Sequence, residues 1–408
     1  MKVGIWLNKD INPTDGGSFS YLEKLIKSID SYDFHPRLEI VFITESEKSD
    51  GFKKEVINLA YHRQYLDLLE KIHYKLSSPA KKHHLYNNLI QRNDSGKAFK
   101  YSEILRHNKV DVIFYPQQWN CEIDNYPFIA TNWDIGHLST YNFPEFDRDY
   151  NLSRRNKWFN ITIYKALNVF CESESGKDEL LKYTHLDERK VKVVPIFPGN
   201  CVSIDLNNEK QNEILRKYDL IKNQFFFYPA QFWAHKNHFG LVSAFARFLK
   251  SNPDYKLVLS GTDKGNLHYI ETVTKEFGIS NNVILPGFTG VGEINTFYCN
   301  ALAMVIPSIF GPTNLPILEA LELNCPVLCS DLPGYHEMVE DGALYFNPLD
   351  HDSILASMNN IVDTQKRNEL LSKAEEIRRT TKFRVEKALE KLNECFLSLV
   401  NIRKTWDQ

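Results

Sequence analysis

Short apolar runs, rich in β-branched and aromatic residues, recur along the chain between longer stretches whose apolar residues fall at helical spacing. In the first half the runs are Val3–Leu7, Leu38–Ile43, Asp111–Tyr115, Phe128–Thr131, Asn168–Cys171 and Val191–Pro195. In the second half they are Phe225–Tyr228, Lys256–Leu259, Val283–Leu285, Ala303–Ile306, Pro326–Cys329 and Ala343–Phe346. Each has the length of a buried strand, and most end at Gly, Pro, Ser or Asp. Between them, sets such as Leu241, Ala244, Phe245 and Phe248 form one face of a helix. Strand–helix alternation of this kind predicts an α/β fold: parallel sheets covered by helices on both faces. The pattern occurs twice, around a polar patch at 198–222 with no strong period. The expected units are residues 1–200, residues 201–382 and a last helix-like run, 383–408, with Leu389, Leu392, Phe396 and Val400 on one face. Two doubly wound domains would form a cleft between the C-terminal edges of their strands, where open α/β sheets bind ligands.

The length of 408 residues exceeds what one hydrophobic core usually serves, in keeping with two domains. A net charge of −3 gives no bias toward nucleic acid. The seven cysteines are odd in number and include no C-x-x-C pair, which argues against a disulfide framework or a thiolate zinc site. The N-terminal apolar run reads as a first strand, not a signal peptide, and no stretch approaches a bilayer span. The expectation is a soluble protein of the cytoplasm. The segment 71–100 changes this picture in one respect: it interleaves Lys71, Lys75, Lys81, Lys82, Arg92 and Lys97 with Tyr74, Leu85, Tyr86 and Leu89. It reads either as a solvated helical insertion or as a basic amphipathic face lying on anionic membrane lipid.

Four segments carry candidate chemistry, and each also has an ordinary structural reading. Pro307–Ala320 follows a strand and opens a helix. Gly311 and Pro312 permit a sharp turn there, and the N–H groups near Asn314 and Leu315 would bind a diphosphate at the helix start. Glu319, about a turn in, is placed to accept from ribose hydroxyls, or is a surface glutamate. In Tyr228–His238, Lys236 is a point charge at a strand-to-helix junction, suited to a phosphate or simply solvated. Asn237 suits the following helix cap. Gly16 and Gly17 after the first strand allow close backbone approach to a ligand, or make a turn. At the end of a domain-one strand, Asp134 and His137 are polar groups at the cleft edge, for sugar or phosphate contact or for capping.

The order of these segments over the whole chain resembles the family-4 retaining glycosyltransferases of the GT-B fold, of the type that builds bacterial surface polysaccharides such as O-antigen. The resemblance also rests on Glu172-Ser173-Glu174-Ser175-Gly176, Pro195-Ile196-Phe197-Pro198-Gly199, Pro286-Gly287-Phe288 and Asn324-Cys325-Pro326-Val327. It implies two Rossmann-like domains, with domain one on the acceptor side, domain two binding a nucleotide-sugar donor, and the last helix crossing back to domain one. The donor site would comprise Gly16, Gly17, Gln231, Gly311, Thr313, Asn314, Leu315 and Glu319, with Lys236, His137 and Asp134 at the reacting centre. Two positions depart from the family pattern. Gln231 stands where the family has an arginine, and Gly311 stands where it has the first glutamate of Glu-x7-Glu, so that Thr313 or Asn314 would take over that sugar contact.

The reaction so implied transfers a mannose-, rhamnose- or glucose-type sugar to a hydroxyl of a glycan or lipid-linked saccharide, without metal or other cofactor. The nearest acidic pair, Asp147-Arg148-Asp149, sits in a loop that reads as surface. The other reading, suggested by Gln231 and Gly311, is a catalytically silent nucleotide-sugar-binding subunit.

Overall fold

The computed structural model describes residues 1–7, 12, 16–46, 51–59, 98–119, 121–147 and 151–406. Asp15, Arg148, Asp149 and all but the last three residues of the basic segment 71–100 lie outside the described residues.

The apolar runs form two sheets. The first contains β1 (Lys2–Leu7), β2 (Glu39–Thr44), β3 (Val56–Asn58), β4 (Val112–Phe114), β5 (Phe128–Asn132), β6 (Asn168–Cys171) and β7 (Val191–Val193), in the order β3-β2-β1-β4-β5-β6-β7. The second contains β8 (Phe225–Pro229), β9 (Lys256–Ser260), β10 (Val283–Gly287), β11 (Ala303–Ile306), β12 (Val327–Ser330) and β13 (Ala343–Phe346), in the order β10-β9-β8-β11-β12-β13. Every pairing is parallel. Helices cover both faces, so the strands are buried on both sides and read as continuous apolar runs. Val3, Ile5, Phe225, Phe226 and Phe227 have no exposed surface.

Each sheet reverses its strand order once: β1 lies between β2 and β4, and β8 between β9 and β11. At such a switch point adjacent connections leave in opposite directions and open a crevice beyond the strand ends. The loops there are those after β1, β4, β8 and β11. They carry Gly16 and Gly17, Gln118 and Trp119, Gln231 to Lys236, and Pro307 to Asn314. Topology thus gathers segments far apart in sequence onto one junction.

The helix Val385–Arg403 leaves domain two and packs on domain one. Its Phe396 ring lies 5.8 Å from Phe114 and 6.1 Å from Phe34, and Arg403 Nε meets Asp111 Oδ1 at 2.5 Å. Two elements escaped the sequence pattern. The patch 198–222, read as polar and without a strong period, holds the helix Asn208–Lys217, capped by Asn207. Leu215 is the only buried residue of that helix, so no apolar stripe announces it. The strand β3 has three residues and one buried side chain, Ile57, too short to show a period.

Candidate active site at the domain junction

After β8 the chain makes a short turn, Ala234–Lys236, and starts the helix His238–Phe248. Asn237 has φ 53, a left-handed conformation that Asn tolerates, and its Oδ1 accepts from Gly240 N at 3.1 Å as the helix cap. This geometry fixes Lys236 at the junction. Its ammonium makes no hydrogen bond to the described residues. Burial lowers its pKa to about 8, while Asp134 and Glu145 of domain one pull it upward.

Across the cleft, Gln118 organises the loop after β5. Its Oε1 accepts from Trp133 N at 2.7 Å and Asp134 N at 3.0 Å, and its Nε2 donates to Asp134 O at 2.8 Å. Asp134 Oδ1 accepts from Arg155 Nη1 and from Gly136 N, both at 3.0 Å. Burial alone would raise this carboxyl; Arg155 and the Gly136 N–H outweigh it and hold the group below the usual range. The His137 ring lies 5.1 Å from Phe159 and 6.3 Å from Phe146, and neither ring nitrogen has a hydrogen-bond partner among the described residues. Burial, and then Arg155, push its pKa down to about 4, so the imidazole is neutral at pH 7. Phe159 lies in a π-helical turn, Trp158–Thr162, that brings its ring up to His137.

The two domains meet over these loops. The Phe310 ring of domain two lies 5.9 Å from Phe143, 5.5 Å from Phe146 and 4.5 Å from His235. Glu145 of domain one accepts from His235 N at 3.2 Å and also pairs with His235 Nδ1. Burial keeps His235 neutral, so it donates Nδ1–H to an ionised Glu145, whose carboxyl the imidazole holds down against its own burial. Glu337 of domain two accepts from Glu174 N at 2.9 Å and Ser175 N at 2.8 Å, at the start of a domain-one helix. A carboxylate there completes the unsatisfied N–H groups of the helix end.

The predicted donor residues converge, with different engagements. A Cβ on Gly16 would lie 3.6 Å from Gln231 Nε2, and one on Gly17 3.4 Å from the Leu315 side chain. The Gly16–Gly17 loop therefore closes directly on domain two. Gln231 Oε1 accepts from Trp233 Nε1 at 2.9 Å. Gly311 has φ 129, in the region glycine tolerates. Thr313 Oγ1 donates to Glu172 at 2.7 Å and Asn314 Nδ2 to Tyr335 Oη at 2.9 Å, so both expected sugar contacts are engaged within the chain. The helix Leu315–Glu322 offers fewer amides than expected: Pro316 has no N–H and that of Ile317 is taken by Asn314 O. The Leu315 N–H is its first available donor. Glu319 is not a surface residue. Burial raises its pKa, and its carboxyl accepts from Tyr298 Oη at 3.0 Å and meets Cys201 and the Gly199 backbone. A ribose would have to replace one of these partners.

Sequence reasoning missed Gln118, Glu145, Arg155, Glu172 and Phe310. The segment Pro144-Glu145-Phe146, just before the loop read as surface, is buried at Glu145 and Phe146 against domain two. A charged residue beside an aromatic in the single helical turn Pro144–Asp147 carries no periodic signal; its partner is 90 residues away. Among the described residues no group of three or more His, Cys, Asp or Glu side chains is placed to hold a metal ion, and no helix is long and apolar enough to cross a membrane.

Residues 210–378 match the family model described as glycosyl transferases group 1. The chain is 25% identical over 202 residues to the O-antigen chain mannosyltransferase RfbU of Salmonella typhimurium, covering 49% of this chain and 52% of that one. It is 24% identical over 233 residues to O-antigen chain mannosyltransferase B of Escherichia coli, covering 54% and 58%. The chain thus spans little more than half the length of these curated relatives. In fold it superposes on Anabaena HepE in complex with UDP and glucose, with TM-score 0.66, 17% identity, and 98% and 100% of the two chains covered. The likeness to the glycosyl transferases group 1 family thus lies in the second domain, and the whole chain has the two-domain GT-B fold.

Proposed function

We propose that this protein transfers a mannose-, rhamnose- or glucose-type sugar from a nucleotide-diphosphate donor to a hydroxyl of a growing glycan or lipid-linked saccharide, with retention and without a metal ion. The observation that carries this reading is Lys236: a half-buried ammonium with no hydrogen bond to the described residues, in the loop after β8 at the switch point of sheet two, the loop whose Gln231 meets Gly16. Desolvation of an unpaired cation is costly, and a diphosphate there would offset it. Lys236 and the Leu315 N–H would stabilise the departing diphosphate. The neutral His137 ring, its two nitrogens without a partner among the described residues, suits a sugar hydroxyl, donating at one nitrogen and accepting at the other. Asp134, held by Arg155, orients that loop. A leaving phosphate oxygen would take the acceptor's proton on the same face. The O-antigen mannosyltransferases among the relatives support a role in surface polysaccharide synthesis at the cytoplasmic side of the membrane, with the basic segment 71–100 on anionic lipid.

The test is thermal stabilisation by UDP-, GDP- and dTDP-sugars, with and without EDTA. Stabilisation by one nucleotide class that survives EDTA and is lost in Lys236→Ala is the expected result; its abolition by EDTA would sink the metal-free mechanism. Since the ammonium titrates near 8, affinity should hold below that pH and fall about tenfold per unit above it. Gln231 and Gly311 favour a second reading, a silent nucleotide-sugar-binding subunit. Donor binding without transfer to any saccharide acceptor would decide for it.

A further inference from the structure

Glu172 follows β6 and is 7% exposed. Its carboxyl oxygen Oε2 accepts from Thr313 Oγ1 at 2.7 Å, across the domain junction. It has no ion pair, and no other hydrogen bond to its side chain is formed among the described residues. The charges and polar groups around it are acidic or neutral: Asp134 after β5, Tyr21 on the helix Gly17–Ser31, and its neighbour Cys171. The space beside it is a void of ≈ 10 Å³ lined by Tyr21, Thr131 and Phe170, room for about one water and too little to hydrate an anion.

The partner segment is held from both sides. Ser173 Oγ lies 3.5 Å from Pro312 O, and a Cβ on Gly176 would lie 3.4 Å from Pro312 Cβ. On the domain-two side Gly334 is packed so closely that a Cβ would lie 1.8 Å from Pro312 O, and Asn314 is tied to Tyr335. Residues 311–314 lead directly into the helix whose start would face the donor diphosphate.

We propose that Glu172 is a positioning residue for the donor loop: through Thr313 it clamps residues 311–314 of domain two onto domain one, and the clamp releases when the carboxyl ionises. An anion at this site has one hydroxyl to compensate it, no counterion, and Asp134 repelling it, so ionisation favours separation of the domains and hydration. Burial raises its pKa to about 8 against the lowering by the Thr313 bond, and the Asp134 charge adds a smaller rise. The neutral acid therefore prevails at pH 7. This inference rests on the donor-site reading only for calling 311–314 the donor loop; the clamp itself is testable without a donor.

The experiment is small-angle scattering of the ligand-free full chain at about pH 7 and about pH 9, on either side of the titration, for wild type and Glu172→Gln. Gln keeps the acceptor for Thr313 and cannot ionise. Wild type should expand at the higher pH and Glu172→Gln should stay compact. Lys236 titrates in the same range in both proteins, so the difference between them is the readout. Equal expansion of the two overturns the clamp. Carbon-13 NMR of glutamate-labelled protein gives an independent reading: a carboxyl signal titrating near 8 in wild type and missing from Glu172→Gln supports it, and identical glutamate titrations above about pH 6 in the two proteins overturn it. Where a donor is in hand, wild-type kcat/KM should fall about tenfold more than that of Glu172→Gln over the same step. Failure of the donor panel would leave the scattering and NMR outcomes intact.

Discussion

Gly136→Ala probes how tightly the domains fit. Gly136 opens the short helix Gly136–Ser139 in domain one. A Cβ there would lie 2.4 Å from Cε2 of Phe310 and 2.8 Å from its Cζ. An ordinary carbon contact needs about 3.5 Å or more, so the ring must move by about 1 Å. It is hemmed in by Phe143, Phe146 and His235, and overpacking of this kind typically costs about 1–3 kcal/mol. Against it stands the better helix propensity of alanine, worth up to about 1 kcal/mol. The substitution should therefore destabilise wild type in urea unfolding and be neutral or slightly stabilising in a Phe310→Ala background, where the space is open. The coupling energy of this double-mutant cycle should reach about 1–3 kcal/mol. An equal effect in both backgrounds would refute the reasoning, since the cost would then not come from the ring of the opposite domain.

Arg155→Ala leaves Asp134 partly buried without its partner, and should cost about 3 kcal/mol in denaturant unfolding, the low end for broken buried pairs, because the carboxylate retains some exposure. Asp134 is depressed in wild type, so its contribution is present above the unfolded carboxyl value and lost as pH falls through the folded one. In Arg155→Ala that loss should begin at a higher pH. Asn237→Ala removes the helix cap and the bond to Pro348 O and leaves in the left-handed conformation a residue that tolerates it less well than asparagine, for a cost of about 2–3 kcal/mol. Asn237→Gly loses the same two side-chain bonds, to Gly240 N and Pro348 O, without the strain and should cost clearly less; equal losses would show that backbone strain plays no part.

The sequence alone determined the α/β alternation and the presence of two sheets, because strands buried on both faces must read as apolar runs of strand length. It also marked Lys236 and Asn237, since a strand-to-helix junction imposes its cap chemistry locally. It placed Gly16, Gly17 and the 307–320 segment at strand ends, where a parallel sheet presents its loops. It did not reveal what those residues touch. Glu172 and Thr313 are 141 residues apart, Glu145 and His235 are 90 apart, and nothing periodic or local marks either pair. The engagement of Glu319 by Tyr298, Cys201 and the Gly199 backbone likewise belongs to the packed domains. Tertiary structure decided these contacts because the protonation and pairing of a carboxylate depend on desolvation and on which partner the fold brings within 3 Å, and neither is a property of the chain's order.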